Sequence, residues 1–208
     1  MKIITLTNEN FRDSVAQGVE VLMRGGIVLF PTDTLYGLAV DATNPAALAR
    51  LRELKGREKK KPISILVPSV EAIGNYVTWN ENAKELAQHF LPGPLTLILP
   101  THSTAFPGIE FLGQVGIRVP QEPFDLALAE ALGRPYTATS ANRSGLPTLT
   151  TAHEILVQFG PLVSEIDLVI DAGPRSGGKP STVVTFKEGL PYIVRKGVLS
   201  KEDLGINY

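Results

Sequence analysis

At 208 residues, 43% hydrophobic and 20% charged, the chain is sized for one globular domain with a substantial core; no linker, repeat or low-complexity tract divides it, so residues 1–208 are read as a single domain. A formal net charge of -1 excludes a uniformly cationic surface, so a polyanion must be met by a local concentration of Lys and Arg. The lack of cysteine excludes disulfides, thiolate nucleophiles and Cys-ligated zinc, and neither a signal-peptide-like start nor an apolar run of about 18 residues is present, so a soluble cytoplasmic protein with no membrane partner is expected.

Apolar β-branched runs and helical patterns alternate along the chain, the mark of an α/β fold. A strand over residues 3–6 precedes a helix over 11–24, with Val15, Val19 and Leu22 on one face and Gly25-Gly26 as its stop. Residues 27–30 read as a buried strand. Asn44-Pro45 supplies an N-cap and a first-turn proline for a helix to residue 54, whose Leu48, Leu51 and Leu54 face the core. A strand over 62–67 follows, then Ser69 as a cap and a helix over 81–90, broken by Pro92-Gly93-Pro94. Strands at 95–99 and 115–119 flank an exposed excursion, residues 101–113, which is a candidate lid. A helix over 123–132, a strand over 136–139 and a helix opened by the Thr151/Glu154 capping box come next. Strands at 168–171, 182–186 and 192–195 complete the pattern.

Seven cationic side chains fall within residues 50–61, and Lys55-Gly56-Arg57 lies where the helix gives way to a strand. Such a run is commonly a solvated helix end. Here the apolar Pro62-Ile63-Ser64-Ile65-Leu66 buries the chain at once and anchors Lys55, Arg57 and Lys61 near the sheet. An Arg fork and a Lys point charge suit phosphate oxygens, and Gly56 between them is read as permitting close backbone approach. Arg50, Arg52, Lys59 and Lys60 are read as solvated helix and loop. The run Pro31-Thr32-Asp33-Thr34-Leu35-Tyr36-Gly37 packs hydroxyls, a carboxylate and a phenol into one turn, and Ser140-Ala141-Asn142 follows another strand. Each is either a ligand loop or a turn capping its own backbone. Gly173-Pro174-Arg175-Ser176-Gly177-Gly178-Lys179 has P-loop spacing, but Pro180 removes an N–H where a helix should start, so it is read as a glycine-rich loop. His89, His102 and His153 lie outside all these loops and are read as surface residues, with no catalytic triad or metal cluster implied. Chemistry left to cations, hydroxyls and exclusion of water suits phosphoryl or nucleotidyl transfer.

Taken in order, Pro31-Thr32-Asp33-Thr34-Leu35-Tyr36-Gly37-Leu38, Lys55-Gly56-Arg57 with Lys61-Pro62-Ile63-Ser64, Leu91-Pro92-Gly93-Pro94-Leu95-Thr96, Val115-Gly116-Ile117-Arg118-Val119-Pro120, Ser140-Ala141-Asn142 and Pro180-Ser181-Thr182-Val183-Val184 resemble the YrdC family of threonylcarbamoyl-AMP synthases, in its short form. The resemblance implies an open, twisted mixed sheet with flanking helices around a concave basic cavity. It implies a reaction of L-threonine, bicarbonate and ATP, with Mg2+ accompanying ATP, to threonylcarbamoyl-AMP and pyrophosphate. The product would pass to a downstream threonylcarbamoyl-transferase machinery that makes N6-threonylcarbamoyladenosine at tRNA position 37, and tRNA is a candidate contact. By position, Lys55, Arg57, Ser140 and Asn142 match the catalytic signature. Arg57, Lys61, Ser140, Thr148 and Arg195 are expected around ATP, and Thr34, Arg118, Ala138 and Ser181 around threonine, with no protein-held metal. Leu66 stands where some relatives have histidine, and Glu58 where a proline is common. Two other readings stay open: a double-stranded RNA or tRNA-binding module using the same cations, and a paralogue of the same fold acting on something other than threonine. The RNA reading accounts less well for the hydroxyl-rich turn, and the chain has no row of stacking aromatics.

Overall fold

The computed structural model describes every residue except 59–60, 103–105, 107–108, 110–111, 176–178 and 207–208. Lys59 and Lys60, much of the candidate lid and the centre of the P-loop-like segment therefore lie outside the described residues. The strands are β1 (Lys2–Thr5), β2 (Val28–Pro31), β3 (Tyr36–Ala39), β4 (Ser64–Leu66), β5 (Leu95–Pro100), β6 (Gln114–Arg118), β7 (Tyr136–Ser140), β8 (Leu168–Asp171), β9 (Thr182–Lys187) and β10 (Leu190–Arg195). The helices are α1 (Phe11–Met23), α2 (Pro45–Lys55), α3 (Val70–Ile73), α4 (Glu81–Phe90), α5 (Pro123–Leu132) and α6 (Ala152–Phe159), the last continuing into a 3-10 segment, Gly160–Glu165.

The expected caps form. Asn44 accepts from the N–H groups of Ala46 and Ala47, and Thr151 from that of Glu154. Gly25 and Gly26 donate to the carbonyls of Leu22 and Val21, closing α1 with two of its otherwise orphaned acceptors satisfied. Two elements depart from expectation. Ser69 caps the short α3, accepting from Ala72 N–H, whereas α4 has its own cap in Asn80. The hydroxyl-rich run after β2 is not one long turn, because the chain reverses over residues 32–35 and Tyr36–Ala39 returns antiparallel to β2, with Pro31 opposite Tyr36. All residues of both strands are buried. A strand covered on both faces shows no alternation, so its pattern did not announce it.

The ten strands form one mixed sheet in the order β1-β8-β2-β3-β7-β4-β6-β5-β9-β10. Its two faces are covered unequally. On one face α2, α4 and α6 contribute Leu48, Leu51, Leu54, Leu86 and Ile155 to a core that includes Leu29, Leu38, Ile65, Leu97 and Ile117. On the other, α1 and α5 contribute Val15, Leu22, Phe124 and Leu128 against Val28, Phe30, Ala39, Tyr136 and Ile170. The strand residues of that second core come mainly from β2, β3, β7 and β8. The outward positions of β5, β6 and β9 on this face lack that helical cover, and there the cavity opens.

A buried polar pair sits beneath α5. The Tyr136 hydroxyl donates to the Asp125 carbonyl at 2.9 Å and to its carboxylate, and Asp125 is 1% exposed. Burial pushes the Asp125 carboxyl up to about 8 and the Tyr136 phenol well above its ordinary value. Tyr136→Phe removes the donor and is expected to lower unfolding free energy by about 1–3 kcal/mol, measured by urea denaturation at constant pH.

Candidate active site

A cavity of about 620 Å³ occupies the uncovered half of the sheet face. Its floor follows the two-residue period of strands: Ser64 and Leu66 from β4, Gln114, Gly116 and Arg118 from β6, Thr96 and Ile98 from β5. Their neighbours Ile65, Val115, Ile117, Leu97 and Leu99 point to the opposite core. Gly116 keeps the floor low, since a Cβ there would lie 2.7 Å from Ser64 Oγ.

The cationic wall begins at the end of α2. Gly56 adopts φ 60° and ψ 38°, its N–H returns to the Glu53 carbonyl, and the N–H of Arg57 returns to that of Arg52 at 2.8 Å. This left-handed cap turns the chain and brings Arg57 to the cavity. A Cβ on Gly56 would meet no protein atom within 4 Å, so within the fold itself glycine is required for its backbone angle. The Arg57 guanidinium donates to the Pro62 carbonyl at 2.6 Å, while its Nε is buried with no partner among the described residues. Burial, then Arg52 and Arg195, hold the Arg57 pKa below the ordinary value; burial, then Arg118, do the same for Arg195. Arg57, Lys61, Arg118 and Arg195 line the cavity, and among the described residues of the lining there is no Asp or Glu. An anion there would relieve the mutual repulsion.

Lys55 faces the other way. It is 1% exposed, and its Nζ donates to the Ser140 carbonyl, to the Asn142 carbonyl at 2.8 Å and weakly to Asn142 Oδ1 at 3.5 Å. The Lys55 carbonyl in turn accepts from Ser144 N–H at 2.8 Å. Helix α2 thus grips the loop after β7 at several points. Burial, with Arg57 beside it, pushes the Lys55 ammonium down to about 7. Asn142 is used up within the loop: Oδ1 accepts from Ser140 Oγ at 2.6 Å, and Nδ2 donates to the carbonyls of Leu146 and Arg143.

On the opposite side Arg118 donates from Nε to the Gly93 carbonyl at 2.9 Å and from Nη2 to the Asp33 carboxylate. Ser181 Oγ lies 3.0 Å from Thr96 Oγ1 and accepts from Arg195 Nη2 at 2.9 Å. The Thr32 hydroxyl closes its own turn, donating to the Leu35 carbonyl and accepting from Leu35 and Thr34 N–H, while Thr34 lines the cavity. The Tyr36 phenol points away from the turn, to Gly173 O at 2.8 Å and Asp171, and burial pushes it up to about 12.

Residues 20–197 match the family model Sua5/YciO/YrdC, described as telomere recombination. The chain belongs to this family. It is 35% identical over 193 residues to the threonylcarbamoyl-AMP synthase of Bacillus subtilis, covering 91% of this chain and 55% of that one. Among solved structures, P. abyssi Sua5 complexed with L-threonine superposes with a TM-score of 0.84 at 34% identity, covering 98% of this chain and 58% of that one. E. coli YciO superposes with a TM-score of 0.84 at 28% identity and 98% coverage of both chains. The chain thus spans a little over half the length of the first two.

The Sua5/YciO/YrdC signature is divided by the fold. Arg57, Lys61, Ser140 and Arg195, and with them Thr34, Arg118, Ala138 and Ser181, line the cavity. Three expected residues do not. Lys55 and Asn142 are buried behind the wall, their polar atoms engaged by the loop they shape. Thr148 is exposed and outside the lining, because the loop is tied off at Leu146 before reaching it. Two residues read as solvated are structural. Arg52 is 8% exposed and donates to the carbonyls of Glu58 and Lys61, which shapes that turn without a proline. Arg50 bridges Gly25, Glu165 and Asp167. Leu66 lines the floor as an apolar side chain, and His89, His102 and His153 are exposed. The roles of Asp33 and Thr96 escaped the sequence, since their partners lie 85 residues away.

The Lys55 penalty has a definite sign. Its folded pKa of about 7 is below the ordinary lysine value of 10.5, so the folded chain binds fewer protons between these values. The cost of burying the ammonium is fully present below pH 7 and is relieved as pH rises toward 10.5. Relative to Lys55→Met, the wild-type chain is expected to gain Tm as pH is raised from 6.5 to 9. Gly56→Ala, forced into the left-handed region, is expected to lose about 1–2 kcal/mol in urea denaturation.

Proposed function

We propose that the chain is an L-threonylcarbamoyladenylate synthase, a nucleotidyltransferase using L-threonine, bicarbonate and ATP. The observation that carries this reading is the cavity itself, where Arg57, Lys61 and Arg195 meet Arg118 without a lining carboxylate, in a chain similar to proteins named threonylcarbamoyl-AMP synthase. The threonine-bound P. abyssi structure supports threonine as the amino acid.

In this reading the threonine amine and bicarbonate give a carbamate and water. A carbamate oxygen attacks the α-phosphorus of ATP, and the bond to the β-phosphate bridging oxygen breaks to release pyrophosphate. Both reactants are anionic. Arg57, Lys61 and Arg195 offset the phosphate charge and Arg118 holds the threonine carboxylate, each charged hydrogen bond contributing about 1.5–3 kcal/mol. Ser140 is placed by Lys55 and Asn142, and with its proton given to Asn142 Oδ1 its Oγ is left to accept from the nucleotide. The hydroxyls of Thr34 and Ser181 line the cavity and can exchange a hydrogen bond with the threonine side-chain hydroxyl, an interaction that an analogue lacking that hydroxyl forfeits. No group of three or more His, Cys, Asp or Glu among the described residues could hold a metal ion, so Mg2+ is read as part of the nucleotide substrate, held by phosphate oxygens and water. The adenylate would serve a transferase acting on tRNA.

Pyrophosphate release by the purified chain with Mg2+ and ATP is expected to require both threonine and bicarbonate. Release that ignores either one, or none at any magnesium concentration, refutes the assignment and favours a paralogue or a binding module. Arg57→Ala is expected to lower kcat/KM about 100-fold or more with an unchanged urea midpoint.

A further inference from the structure

The Asp33 side chain plays no part in holding the turn that carries it. That turn is closed by the Thr32 hydroxyl and by Thr32 N–H to the Leu35 carbonyl at 2.9 Å. The Asp33 carboxylate instead crosses to Arg118, 85 positions later. Both side chains are close to nine-tenths buried, at 9% and 11% exposure, and the second Asp33 oxygen, Oδ2, is buried with no hydrogen-bond partner among the described residues. The carboxylate is therefore committed to one guanidinium.

Arg118 is held from two sides. Its Nε is fixed on the Gly93 carbonyl, and Gly93 is itself fixed by its N–H to the Val119 carbonyl at 3.1 Å. A Cβ on Gly93 would lie 2.5 Å from the Phe90 carbonyl oxygen, so this turn leaves little room to shift. With Nε on Gly93 and Nη2 on Asp33, the plane of the guanidinium is set, and Nη1 has no hydrogen bond among the described residues. Arg118 lines the cavity whereas Asp33 does not.

We propose that Asp33 is a positioning residue that fixes the Arg118 guanidinium for an α-amino-acid carboxylate, and so determines selectivity for substrates bearing that group. This rests on the synthase reading above. A planar fork recognises a carboxylate only while its plane is held, and a cation left without its counter-charge in a partly buried site would turn toward Gly93 or solvent. Asp33 acts on threonine through Arg118 and does not touch the nucleotide.

The test measures steady-state pyrophosphate release by the full chain and its Asp33→Asn and Asp33→Glu variants, with L-threonine and with L-threonine methyl ester. Asp33→Asn keeps the shape and removes the charge, and Asp33→Glu keeps the charge and displaces it. Both are expected to raise KM for threonine about 10-fold or more while KM for ATP stays within about 2-fold. The preference for threonine over its methyl ester should fall by a similar factor. An unchanged or lowered threonine KM overturns the proposal, as does an equal loss for ATP and threonine or an unaltered preference over the ester. If Asp33→Asn fails to fold by circular dichroism, the Asp33→Glu result decides alone. Failure of the wild-type chain to release pyrophosphate refutes the synthase assignment, whereas an active wild type with indifferent variants refutes only the role of Asp33.

Discussion

A ten-stranded sheet must hide two faces, and in this chain the helices cover one of them only in part. Everything functional follows from that shortfall. Where α1 and α5 lie over β2, β3, β7 and β8, the outward positions are Val28, Phe30, Ala39 and Tyr136. Where they do not, the same positions become Ser64, Thr96, Gly116 and Arg118. The side chains facing away from the cavity remain apolar on β4, β5 and β6, so the sheet keeps its second core while its other face opens into the cavity.

Among the described residues the open face is bounded by four cations, of which Arg118 and Lys61 have carboxylate partners in Asp33 and Glu58, while Arg57 and Arg195 are tied to carbonyl and hydroxyl oxygens. Arg57 and Arg195 are each held below their ordinary pKa by burial and by other guanidinium groups. Gathering cations in a half-enclosed space costs folding free energy, and the surrounding structure bears it by tying each one down: Arg57 to Pro62, Arg195 to Ser181, Arg118 to Gly93 and Asp33. Such tethering limits the reorganisation needed when an anion binds, the condition for electrostatic stabilisation in a fixed site. Lys55 extends the same logic. By engaging the carbonyls of Ser140 and Asn142 it couples the helix that leads into Arg57 to the loop that carries Ser140, so the two walls are set relative to each other.

Much of this was legible along the chain. The alternation in Val115-Gly116-Ile117-Arg118 already separates a core face from a ligand face, and the caps at Asn44 and Thr151 mark helix starts correctly. The ordered motifs identify the family. Less legible was the division of labour within them, because Lys55 and Arg57 stand two positions apart and local sequence gives both the same charge. The left-handed Gly56 sends one into the cavity and leaves the other at the helix end, facing the β7 loop. Arg52 looked like a solvated cation for a similar reason: only folding brings the carbonyls of Glu58 and Lys61 to its guanidinium.

The sequence by itself determined the α/β class, most element boundaries, the family and the set of cations from which an anion site could be built, because these depend on local periodicity, capping and composition. Only the tertiary structure decided which cations face the cavity and which hold the scaffold. That choice depends on contacts spanning 85 residues or more, between Lys55 and the Ser140 loop and between Asp33 and Arg118. Burial, hydrogen-bond partners and the direction of each guanidinium are fixed there by packing, which no local pattern encodes.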